Sequence, residues 1–62
     1  TPAQRIHKAA LLLDYRGDVT GARELLRGAL EEATRAGDER MAEEARVFLA
    51  EMDEVYGEGE GA

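Results

Sequence analysis

A glycine followed by an acidic residue stands at Gly17-Asp18, at Gly37-Asp38 and, in a weaker form, at Gly57-Glu58, once every twenty residues. Glycine takes the left-handed backbone that ends a helix without steric penalty, and an aspartate after it accepts hydrogen bonds from the first free N–H groups of the next helix. Each interval therefore holds one helix and its punctuation. Within the middle interval Ala22, Leu25, Leu26, Ala29, Leu30 and Ala33 recur at helical spacing, and Arg23, Glu24, Arg27, Glu31 and Arg35 read as staying off that stripe. Glu31 and Arg35 also stand in the favourable i,i+4 order. Two-residue turns leave successive helices antiparallel. The predicted fold is all-α: three antiparallel helices over about 2–16, 18–36 and 38–56, forming one module (1–56), with 57–62 as a flexible Gly/Glu tail.

Thr1-Pro2-Ala3-Gln4 supplies a capping box to the first helix, with proline at the first helical position, where its missing N–H costs nothing. Ile6, Ala9, Ala10 and Leu13 form an inner stripe. At about 100° per residue, Leu11 falls opposite them, Tyr15 lies one turn further on, and Leu12 sits on the flank. Helix 1 thus has two apolar faces. Either a small domain tolerates the second one exposed, or another chain or a neighbouring repeat covers Leu11, Leu12 and Tyr15. In helix 2, Gly21 and Gly28 lie seven apart on one flank, which predicts close approach of another helix there. Helix 3 carries Met41, Ala45, Phe48, Met52 and Val55 in 4,3 spacing, flanked by Ala42, Leu49 and Tyr56, and this reads as a core seam.

Composition narrows the function. Eleven of the apolar residues are alanine, which leaves sixteen larger ones across 62 residues and suits closely spaced helices better than a core with a ligand cavity. No cysteine is present, so disulfides and thiol chemistry are excluded and a reducing, cytoplasmic setting is the expectation. The sequence has neither an apolar run long enough for a membrane span nor a signal-peptide pattern. Beginning without methionine, it reads as a piece of a longer protein. Seven of eight basic residues are arginine, while serine and asparagine are absent, a bias that suits a high-GC bacterial or thermophilic source. Residues 1–37 carry a net charge of +1 and residues 38–62 carry −7. An acidic third helix repels phosphate backbones, so nucleic acid is not the expected partner.

No catalytic constellation is present. His7 is the single histidine and there is no serine or cysteine, which removes the parts for nucleophilic catalysis and leaves a zinc site without ligands. Glu39, Glu43, Glu44, Glu51, Asp53 and Glu54 read as a solvated outer arc of helix 3 interrupted by Arg40 and Arg46. Arg16-Gly17-Asp18 spells a tripeptide recognised by some adhesion receptors, yet Gly17 and Asp18 already serve as helix stop and cap. Neither enzyme activity nor a metal or cofactor is expected.

Gly17-Asp18, Ala22, Leu26, Ala29 and Leu30 resemble the second helix of a tetratricopeptide repeat, and Ile6, Ala9, Ala10 and Leu13 fall where that family places the inward positions of its first helix. Ala9 is smaller than the family's usual residue, Thr34 stands where a proline usually closes the repeat, and a unit of about forty residues resembles the long-helix bacterial variants. Ala42, Ala45, Leu49 and Ala50 then resemble the start of a following repeat or a capping helix. The resemblance implies a protein-interaction scaffold with Gln4, His7, Leu11 and Asp14 on its concave surface. His7 and Leu11 occupy the places of the clamp with which chaperone-associated members hold a C-terminal carboxylate, so that ligand is not implied.

Together these readings predict a non-catalytic protein–protein interaction module, with Gln4, His7, Lys8, Leu11, Leu12, Asp14 and Tyr15 as its partner-binding residues. The alternative is a self-association domain in which two copies bury the leftover faces as a homodimer. The partner in either case is protein, not nucleic acid or membrane.

Overall fold

The computed structural model describes residues 1–57 and contains three helices and no strand among them. Helix α1 spans Pro2–Leu11 and continues as a π-helical turn over Leu12–Arg16; α2 spans Val19–Ala36 and α3 spans Glu39–Tyr56. Apart from Gly57, the expected Gly/Glu tail lies outside the described residues.

Local chemistry sets these boundaries. Thr1 Oγ1 accepts from the Gln4 N–H at 3.3 Å while the Thr1 nitrogen donates to Gln4 Oε1 at 3.1 Å, which is the reciprocal capping box. Asp18 caps α2 by accepting from the Gly21 N–H at 2.9 Å, and Asp38 caps α3 by accepting from the Met41 N–H at 3.1 Å. Gly17 and Gly37 stop the preceding helices with φ of 62° and 74°. At the second stop, Asp38 N–H reaches back to the Ala33 carbonyl and Gly37 N–H to that of Thr34, the Schellman pattern. At the first stop the bonds run from Asp18 to Leu12 and from Gly17 to Leu13, one residue wider. That extra residue is the π turn that ends helix 1.

Helix α2 is the centre of the arrangement: it packs against both α1 and α3, which have little contact with each other. Ala9, Ala22, Leu26 and Met52 form the buried cluster where the three helices meet, with Ile6, Leu12, Leu13, Val19, Leu25, Phe48 and Leu49 around it. Among the described residues, six of the eight buried apolar side chains are alanine, and only Leu26 and Met52 are large. Small side chains let helix axes approach closely, and the result is a body 14 Å thick in its shortest dimension.

Three expectations are corrected by this packing. Arg23 does not stay off the stripe: it is 5% exposed and bonds through Nη1 to Asp53 of α3, so Asp53 is also no mere member of a solvated arc. At about 100° per residue Arg23 lies ~60° from Leu26, and a helix covered from two sides buries an arc wide enough to include it. Val55, the last residue of the expected α3 seam, is 72% exposed, because little of α1 reaches α3 to close over that flank. Nor do the glycines of α2 admit another backbone. A Cβ at Gly21 would strike the Asp18 carboxylate, and one at Gly28 would lie 2.7 Å from Arg5 Nη1, the far end of a flexible side chain.

The Arg5 guanidinium reaches over Gly28 towards Glu32, with Nε 3.6 Å from Oε1, and both side chains are about half exposed. Gly28→Ala therefore displaces only the tip of a mobile side chain in a bridge of little worth, while removing a helix-interior glycine gains up to about 1 kcal/mol. A net stabilisation of about 0.5 kcal/mol is expected in urea denaturation. A loss of stability would show that Arg5 is held firmly over α2.

Candidate protein-interaction surface

The free face of helix 1 exists because α1 turns Ile6 and Ala9, and the π turn Leu12 and Leu13, towards the cluster with α2. On its other side Leu11 is 41% exposed and Tyr15, in the π turn, is 81% exposed. Lys8 is also exposed, one turn before Leu11, and His7 and Asp14 are exposed at the margins. The structure thus brings together Lys8, Leu11 and Tyr15 as a partly apolar strip. Gln4 lies in the first turn of the helix, ahead of this strip, and its side-chain oxygen is engaged in the capping box. Leu12 is a correction: it is half-buried and packs on the core cluster, so it supports the strip from beneath instead of lining it.

A second strip, on α3, carries a residue that the seam pattern passes over. Val47 is 46% exposed and stands beside half-buried Phe48, with exposed Glu44 and Glu51 one turn to either side. These residues line a shallow depression with Arg40 and Glu43. The available signal was a lone valine within the acidic outer arc. Among the described residues no ion pair engages Lys8, Glu44 or Glu51, whereas Glu43 pairs with Arg46 at 3.1 Å and Glu31 with Arg35 at 3.6 Å.

The arrangement offers little to a small molecule. Another depression is lined by Glu24, Arg27, Gly28, Leu30 and neighbouring residues of α2 alone, an open helix flank and not a cavity between elements. Among the described residues no group of three or more His, Asp or Glu side chains is placed to hold a metal ion, and no helix is long and apolar enough to cross a membrane. The Arg16-Gly17-Asp18 tripeptide forms the first turn of the punctuation, with the Asp18 carboxylate engaged as a helix cap. No family model matches the chain, and no curated protein or solved structure matches it.

Proposed function

We propose that the chain is a non-catalytic protein-interaction module, a tetratricopeptide-like helical unit whose docking surface is the free face of helix 1. The observation that carries this reading is the exposure of Leu11 and Tyr15 on one side of a helix whose other side is already packed. Two large apolar side chains one turn apart, with a cation beside them, form the anchor of a helix-on-helix contact. The resemblance of the Gly17–Leu30 stretch to the second helix of a tetratricopeptide repeat supports the same class of function. The partner is a protein helix, from another chain, an adjoining repeat or a second copy. The reading extends to the bacterial cytoplasm, supported by the lack of cysteine and the preference for arginine over lysine.

Leu11→Glu tests it. The side chain is outside the core, so helicity by circular dichroism and the melting temperature stay close to those of the parent. Association measured in parallel by sedimentation velocity weakens by about 1.5–3 kcal/mol, the contribution of one large apolar side chain. Loss of helicity would put Leu11 in the core, and unchanged association would leave this face without a docking role.

A further inference from the structure

The two exposed strips are built to one spacing. Lys8, Leu11, Leu12 and Tyr15 on helix 1 repeat at the intervals of Glu44, Val47, Phe48 and Glu51 on α3: a charge, an adjacent apolar pair three residues later, and a polar-tipped or charged residue three further on. In each pair one member is exposed, Leu11 and Val47, and the other, Leu12 and Phe48, is half-buried against the core cluster. From Pro2 to Arg16 helix 1 has three basic and one acidic residue, not counting His7, whereas α3 has six acidic and two basic. The strips are alike in shape and opposite in charge.

We propose that the occupant of the helix 1 face is the α3 strip of a second copy of this chain, an inference that rests on the docking reading above. Seating Leu11 against Val47 and Phe48 sets Lys8 beside Glu51 and Tyr15 beside Glu44 if the helices run antiparallel, and exchanges the two glutamates if they run parallel. In both directions an unpaired ammonium meets an unpaired carboxylate, and the tyrosine hydroxyl has a carboxylate to donate to. Contact of two α3 strips would set carboxylate against carboxylate, and contact of two helix 1 faces would join surfaces of the same net sign. A contact between unlike faces closes at two copies where each helix 1 face meets the other copy's α3 strip, and otherwise runs head to tail, so that copies continue the α1, α2, α3 order as a chain or a ring.

Complementation between two variants tests this. In sedimentation velocity of the chain at low ionic strength, the parent forms dimers or larger species as concentration rises, and Leu11→Glu and Val47→Glu each weaken association by about tenfold or more while keeping their helical circular dichroism. Mixed one to one, they form a heterodimer that grows no further, since one variant supplies the intact α3 strip and the other the intact helix 1 face. Should Val47→Glu fail to fold, charge swaps replace it: Lys8→Glu weakens association alone, and association recovers when every copy also carries Glu51→Lys, for antiparallel seating, or Glu44→Lys, for parallel seating; recovery with neither overturns the proposal. A parent that remains monomeric overturns the proposal. So does loss of association in Leu11→Glu but not in Val47→Glu, which leaves the docking face standing with a different occupant; insensitivity to both substitutions removes the docking face as well.

Discussion

Leu26→Ala lowers the stability of the protein by about 2–5 kcal/mol, as read from urea or thermal denaturation followed by circular dichroism. Leu26 is fully buried and is one of two large side chains in that state among the described residues. Its cluster neighbours Ala9 and Ala22 have no atoms beyond Cβ with which to fill the space, so most of the cavity persists. Met52, an unbranched and flexible side chain in the same cluster, can swing part-way in, which favours the middle of the range over its upper end. A chain of this size seldom has more than about 3–5 kcal/mol in total, so the variant is largely unfolded at physiological temperature. Leu26→Met, which nearly conserves volume, costs less than about 1.5 kcal/mol and separates loss of packing from any effect of substitution as such. A melting temperature for Leu26→Ala equal to that of the parent would mean that the three-helix junction is not where the structure puts it.

Legibility in the sequence followed the range of the interaction. The capping box at Thr1 and Gln4, the caps at Asp18 and Asp38 and the stops at Gly17 and Gly37 are interactions among residues three to six apart, and all were readable from spacing. Leu26 was readable too, because periodicity alone puts it at the centre of a stripe. What escaped depends on which helices lie on either side of which. A stripe drawn for one neighbour predicts a buried arc too narrow for α2, which has two, and so places Arg23 in solvent when it is buried. The same reading made the α3 seam too long, because Val55 needs a cover that α1 does not provide. The π turn was illegible for another reason: one inserted residue leaves the Gly17-Asp18 signal unchanged and alters only which carbonyl each N–H finds. For the surface, Leu11 and Tyr15 were found as apolar residues off the stripe, whereas Leu12 and Val47 required knowing where the neighbouring helices end.

Asp53→Ala is expected to destabilise the protein by about 2–4 kcal/mol, far more than an ordinary surface substitution. Asp53 is the acceptor for Arg23 Nη1, and the two join α2 to α3. The Arg23 side chain is only 6% exposed, and its Nη2 is buried with no hydrogen-bond partner among the described residues, so the guanidinium already gives up solvation that it does not fully recover. Removing the carboxylate leaves that cation with no counter-charge in its buried position. Because the Asp53 side is 50% exposed, water reaches the gap and keeps the effect below that of a fully enclosed pair. Arg23→Met behaves differently. It retains much of the aliphatic stem that packs beside the stripe and discards both the charge and the orphaned nitrogen, so stability changes by less than about 1 kcal/mol in either direction. Once Arg23 is methionine, Asp53→Ala costs only what an exposed surface substitution costs, about 0.5 kcal/mol or less. The four proteins form a double-mutant cycle in urea denaturation, with an expected coupling of about 1.5 kcal/mol or more. Additive effects across that cycle would show that Arg23 draws its stability from packing alone and that the α2–α3 ion pair contributes nothing to holding the helices together.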